Sequence, residues 1–245
     1  MRIAIVGATK GMGRSLARAL AERGDQLYLW GRDIGDLELA AADLRARSDS
    51  RVAGFGALDF EAPEMFDAAL DAAEKALGKL DGVIVTAGFF NTQDKLEQDP
   101  AFLARLMTVN YTNTVLFCEN ARKRLIAGGG GLLCVFSSVA GDRGRKPVIL
   151  YGSSKAGLSH YLEGLDHKFH ASGLHVLNVK PGFVKTGMTA GLPSPPFAGD
   201  PDAVARTVIR AIEKKRAVVY APPIWGLILR VIRTLPRFVM RKINF

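Results

Sequence analysis

Short, wholly apolar runs rich in β-branched residues alternate with longer stretches whose apolar positions recur every three or four residues. Residues 3–6, 26–30, 52–57, 82–85, 131–137 and 175–180 form the short runs and predict strands. Residues 13–23, 34–47, 62–77, 99–126 and 151–170 lie between them and carry the helical period. Strands that are apolar on both faces and joined by helix-length connections imply a parallel sheet covered on both sides. The expectation is an α/β fold, a single doubly wound domain with about seven parallel strands and helices on both faces. A Pro- and Gly-bearing segment at 187–200 follows a late strand, at the edge where such sheets place their ligands. It predicts a substrate-side loop within a domain spanning 1–222.

The first strand candidate runs directly into Gly7-Ala-Thr-Lys-Gly11-Met-Gly13 and then a helical stretch. Glycines there permit a tight turn and let backbone N–H groups reach a pyrophosphate at a helix N-terminus, the Rossmann-type arrangement. Thr9, Lys10 and Met12 would supply the remaining contacts. The second strand ends Leu29-Trp30-Gly31-Arg32-Asp33. A carboxylate at this point bonds the ribose 2′-hydroxyl of NAD, whereas a cation accommodates a 2′-phosphate. Gly31 stands in the acidic position, while Arg32 and Lys10 offer cations, so the expected cofactor is NADP(H). NAD(H) remains the alternative through an inward-turned Asp33.

Tyr151-Gly-Ser-Ser-Lys155 places a phenol and an ammonium one turn apart on one helical face. A nearby ammonium stabilises phenolate and is expected to draw the tyrosine pKa down from about 10. Tyr151 is then a general acid for a ketone oxygen, or a base for an alcohol. Ser137-Ser138-Val-Ala-Gly141, at the end of the preceding apolar strand, can bring a hydroxyl to the same oxygen.

With these motifs in hand, the chain resembles the short-chain dehydrogenase/reductase family up to about residue 220. The matching pieces follow in order: residues 7–13, Leu58-Asp59, Thr86-Ala87-Gly88, Asn110, 137–141, 151–155 and 181–186. The resemblance implies Ser138 as carbonyl donor, Tyr151 as acid/base and Lys155 as ribose ligand and modulator of the tyrosine, with Asn110 holding a water of the proton relay. It implies that Asp59 meets the adenine amine, that Phe60 is among the cofactor-binding residues, and that Ala87 and Gly88 line the ribose. Pro181, Gly182, Val184 and Thr186 would cradle the nicotinamide. The chain departs from the family pattern at Val6 and at Val85-Thr86, positions that tie strands together. The family implies a homodimer or homotetramer. The function expected is NADPH-dependent reduction of a ketone to a secondary alcohol. Alternatives are another ketone or alcohol (a 3-ketoacyl thioester or steroid-like compound) and an NADP(H)-sensing protein without chemistry.

The net charge is +9, but residues 201–245 hold ten Lys/Arg against two Asp/Glu, which leaves the first 200 residues at +1. A neutral body with a basic tail asks for a local explanation, and no nucleic-acid partner is expected. The tail, 223–245, reads as a basic amphipathic helix with Arg230, Arg233, Arg237 and Arg241 in one stripe and Pro236 as its kink or break. It lacks the uncharged run of about 18 residues needed to span a bilayer and has the composition of an interfacial helix. Packing over the substrate cleft or against a second subunit would also use its apolar surface. The segments 140–158, 179–188 and 218–245 are similar to the bacterial decaprenylphosphoryl-2-keto-ribose reductase group. That resemblance implies a 2-keto pentose carried on a polyprenyl phosphate, with Arg143, Arg145 and Lys146 as candidates for the sugar-phosphate group. Cys118, Cys134 and the four histidines (His160, His167, His170 and His175) match no ligand spacing, so no metal is expected. The strand-like start, with no charged-then-apolar leader, predicts a cytoplasmic protein, peripheral at the inner face of the membrane.

Overall fold

Alternate residues of β1 (Arg2–Val6) leave on opposite faces of the sheet, and each face meets its own core. Ile3 and Ile5 pack with α1 (Gly11–Glu22), α2 (Ile34–Arg47) and α8 (Pro201–Glu213). Ala4 and Val6 pack with α3 (Phe66–Leu77), α6 (Thr114–Ala127) and α7 (Ile149–Phe169). The computed structural model describes residues 1–47 and 52–243. Its other strands are β2 (Gln26–Gly31), β3 (Val52–Ala57), β4 (Gly82–Val85), β5 (Gly131–Phe136), β6 (Leu174–Pro181) and β7 (Val218–Ala221). They form one seven-stranded sheet in the order β3-β2-β1-β4-β5-β6-β7, with every pairing parallel. The order reverses between β1 and β4, which opens a crevice at the carboxyl ends of those strands. The doubly wound α/β expectation therefore holds.

Several elements differ from the periodicity reading. Two went unmarked: α8, whose amphipathic face buries Val204, Ala205, Val208 and Ala211, and the four-residue β7 that follows it. The helix expected over 62–77 begins at Phe66, after a 3-10 turn at Pro63–Met65. The stretch 99–126 is not one regular helix. Asp99 caps α5 (Pro100–Met107) by accepting from the Phe102 amide at 2.9 Å, and a π-helical turn, Thr108–Asn113, separates α5 from α6. Such turns accumulate at functional sites, and this one carries Asn110. A short α4 (Gln93–Gln98) precedes α5. The tail divides at Pro236 as expected, into α9 (Ile224–Thr234) and α10 (Arg237–Met240). Its last residues, Asn244 and Phe245, lie outside the described residues.

Candidate active site

The turn between β1 and α1 is built on a contact that no side chain can enter. Gly7 has a φ of 83°, and a Cβ on Gly13 would lie 2.0 Å from the Gly7 carbonyl oxygen and 2.6 Å from Thr86 Oγ1. Thr86 follows β4 and donates its hydroxyl to the Val6 carbonyl at 2.8 Å. The residue that departs from the family pattern thus still ties the two central strands. The bare backbone of 7–13 leads into the positive end of α1, whose first turn holds no acid. That is the physical requirement for seating a pyrophosphate. A pocket of about 450 Å³ adjoins it, lined by Gly11 and Thr186 and by two cations the sequence reading missed, Arg14 and Lys185. Their signal was only proximity, Arg14 next to the glycine turn and Lys185 inside 181–186.

The next cofactor candidates spread along the crevice. Lys10 Nζ lies 2.7 Å from Asp36 Oδ2, and its side chain is largely exposed. The Arg32 guanidinium sits 5.7 Å from the centre of the Phe89 ring. Asp33 accepts from the Asp36 amide at 2.8 Å and so caps α2. Gly31 packs against Thr9 and Leu37, where an added Cβ would come within 3.2 Å of Thr9 Cγ2. Asp59 accepts from the Glu61 amide at 3.0 Å. Phe60 can meet a cofactor only through its backbone. Its ring is buried with Phe66 and Phe117, at centroid separations of 5.2 and 5.1 Å, so the side chain belongs to the core.

A second cavity of about 570 Å³ collects Met12, Ala87, Gly88, Ser138, Tyr151, Lys155, Pro181, Gly182, Val184 and Thr186. Tyr151 sits in the first turn of α7, which begins two residues earlier than expected at Ile149. Phe90 holds its ring edge-on at 5.1 Å. α7 approaches the Ser138–Gly141 segment so closely that a Cβ on Gly152 would come within 2.8 Å of the Ala140 oxygen. The two serines divide their work. Ser137 Oγ donates to Asn178 Oδ1 at 2.5 Å, whereas Ser138 bonds the Tyr151 phenol and lines the cavity.

Electrostatics correct one expectation. Lys155 is 4% exposed, donates to the Phe136 carbonyl at 3.2 Å, and stands 5.9 Å from the centre of the Tyr151 ring. Burial lowers its pKa to about 8. Burial also pushes Tyr151 up to about 12, and the Ser138 hydrogen bond only partly opposes this. Desolvation outweighs that hydrogen bond, so the phenol is held neutral rather than drawn toward ionisation. Asn110, fully buried in the π turn, brackets one backbone unit. It accepts from the Phe89 amide at 2.6 Å and donates to the Phe89 carbonyl at 2.8 Å. Its side chain therefore positions the 88–90 wall of the cavity.

The loop after Ser138 is tied to the sheet edge and to the tail. Asp142, with a side chain 2% exposed, accepts from Lys180 Nζ at 2.5 Å and from the Tyr220 hydroxyl at 2.6 Å. Arg143 donates to the Leu235 carbonyl at 2.8 Å and Lys146 to the Arg241 carbonyl at 2.7 Å. Of the three cations expected near a sugar phosphate, only Arg145 lines the cavity. Trp225, from α9, was also missed. It closes the cavity against Gly182, where a Cβ would fall 2.1 Å from the indole nitrogen. Among the described residues no group of three or more His, Cys, Asp or Glu could hold a metal ion, and no helix is long and apolar enough to cross a membrane.

An uncharacterized oxidoreductase of Mycobacterium tuberculosis is 34% identical, with 98% of this chain and 96% of the relative covered. The cis-4-hydroxycyclohexanecarboxylate dehydrogenase of Sinomonas cyclohexanicum is 33% identical over 79% of this chain and 77% of its own length. A short-chain type dehydrogenase/reductase from Mycobacterium ulcerans superposes with a TM-score of 0.80 at 22% identity, covering 89% of this chain and 86% of that one. The short chain dehydrogenase family matches residues 1–195. The chain therefore belongs to the short-chain dehydrogenase family of oxidoreductases, whose cofactor is a nicotinamide dinucleotide.

Proposed function

We propose that this protein reduces a ketone to a secondary alcohol with NADPH, with Tyr151, Ser138 and Lys155 as its catalytic residues. The observation that carries the reading is the convergence of these three side chains on one apolar cavity that also holds Gly182 and Thr186. The fit to a dinucleotide rests on the bare Gly7–Gly13 contact and on the cations at Arg14 and Lys185 beside Gly11. When bound, the nicotinamide supplies the hydride for the carbonyl carbon. Tyr151 gives its phenolic proton to the carbonyl oxygen, and Ser138 donates a hydrogen bond to that oxygen as charge develops there. Lys155 keeps a positive charge beneath the phenol and offers its ammonium to the ribose. The phenol, held neutral by burial, carries the proton that reduction consumes.

Preference for NADP(H) is supported by the exposed Arg32 and Lys10 side chains beside a Gly31 that carries no carboxylate and whose Cβ space is tight, and by Asp33's engagement as a helix cap. Arg32→Ala is expected to lower kcat/KM for NADPH by about 10- to 100-fold, the worth of one charge-assisted bond to phosphate, and to leave NADH nearly unchanged. Steady-state kinetics with both cofactors check this, and an equal loss for both would remove Arg32 from 2′-phosphate recognition. For the substrate, the apolar cavity with Arg145 in its wall suits a ring ketone with an anionic substituent. A 2-keto pentose on a polyprenyl phosphate has that chemistry. So does the oxidised form of a hydroxycyclohexanecarboxylate, whose dehydrogenase is among the relatives. NADPH oxidation against both classes separates them.

A further inference from the structure

The tail helix α9 has two apolar faces, and the body of the protein uses one. Trp225, Ile228, Leu229 and Ile232 pack on Val139 and Tyr220. The other face leaves Leu227 60% exposed, Val231 57% and, beyond Pro236, Phe238 65%. Leu229 and Ile232, both buried, anchor the helix from its other face, so these three side chains take no part in holding it to the body.

Two features say what covers it. The first is charge: from residue 214 onward the chain has eight Lys/Arg and no Asp or Glu, and Arg230, Arg237 and Arg241 are exposed alongside the stripe. A second copy of the chain seated face to face would set these arginines against each other with no acid to receive them. A surface of anionic lipid receives both the cations and the apolar side chains. The second feature is the cavity itself, which α9 lines through Trp225 and Ile228. Met188 and Phe197 both line it, and they are also 47% and 60% exposed at the mouth. Phe197 holds a φ of 64°, a left-handed conformation that a bulky residue adopts only under constraint.

We propose that the stripe of Leu227, Val231 and Phe238, with Met188 and Phe197 at the cavity mouth, seats the enzyme on an anionic membrane surface. The substrate is then an amphiphilic ketone whose apolar part stays in the lipid while its carbonyl enters the cavity. This second statement rests on the reductase reading above, whereas the docking does not. Removing the tail would be a poor test, since it would uncover Val139 and Tyr220.

The test floats the full chain with vesicles of phosphatidylcholine plus phosphatidylglycerol, and with phosphatidylcholine alone. Binding is expected on the anionic vesicles, about tenfold weaker on the neutral ones, and falling as salt is added. The double variant Leu227→Asp/Phe238→Asp is expected to lose at least about tenfold in partitioning. Its melting temperature and its NADPH oxidation with a water-soluble ketone should match the parent. The proposal is overturned if the parent stays with the unbound fraction or if the variant floats equally well. It is also overturned if the lipid-free parent is a dimer that the same two substitutions dissolve, because the stripe then belongs to a second copy. Flotation without ketone-dependent oxidation by the parent would sink the reductase reading and leave the docking surface standing.

Discussion

Tyr151→Phe is expected to cut the turnover of ketone reduction by about 10³-fold, within the range that a positioned general acid supplies. Phenylalanine keeps the ring that Phe90 holds edge-on, and it removes only the hydroxyl that Ser138 bonds. The fold should lose no more than the roughly 1 kcal/mol of one hydrogen bond. Cofactor affinity, read by quenching of protein fluorescence, should stay within about twofold, because the glycine turn and Lys155 are untouched. The pH profile adds an independent check. With the phenol pushed up to about 12, the parent's proton donor stays protonated across the ordinary range. A fall in the reduction rate near pH 8 would then report loss of charge at Lys155, whose pKa is lowered to about 8, rather than ionisation of Tyr151. A variant that kept more than a tenth of parental turnover would show that another group donates the proton. Unchanged cellular function with no turnover would instead favour a cofactor-sensing role.

The parts of this site that could be read in the sequence are those whose chemistry follows from spacing along one element. Tyr151 and Lys155 meet because they are four residues apart on α7, and Gly7 and Gly13 meet because a strand must turn into a helix. What escaped depends on contacts between distant segments. Thr86 looked like a departure from pattern, yet its hydroxyl reaches Val6 from 80 residues away. Phe60 follows Asp59, which the family resemblance assigns to the adenine, but the aromatic core of Phe66 and Phe117 claims its ring. Leu227 and Leu229 are chemically the same, and the cluster around Val139 and Tyr220, distant in sequence, determines which of them is buried. The direction of the Tyr151 shift was misread for the same reason. Spacing reveals the neighbouring ammonium and says nothing of how completely the fold excludes water from both groups.

Lys155→Met is expected to abolish useful turnover, by about 10²- to 10³-fold, while making the protein more stable at pH 7. A buried ammonium whose pKa falls from 10.5 to about 8 destabilises the native state by up to about 3 kcal/mol wherever it is charged. The folded state prefers the neutral amine. The penalty is therefore present in full below pH 8, fades between about 8 and 10.5, and is absent above the unfolded value. Methionine has similar length and no charge, but it gives up the bond to the Phe136 carbonyl, which takes back about 1 kcal/mol or somewhat more. The net gain at pH 7 is then about 1–2 kcal/mol, or roughly 3–6 °C in melting temperature for a chain of this size. Scanning fluorimetry at pH 7 and at pH 9.5 tests the sign and the window together. The gain should shrink at the higher pH, as the parent loses its charge penalty and the variant does not change. A variant that melts lower than the parent at pH 7, or an advantage that does not depend on pH, would mean that the Lys155 charge is already compensated within the fold. The expected result is a lysine kept in the apolar cavity for catalysis at the expense of stability.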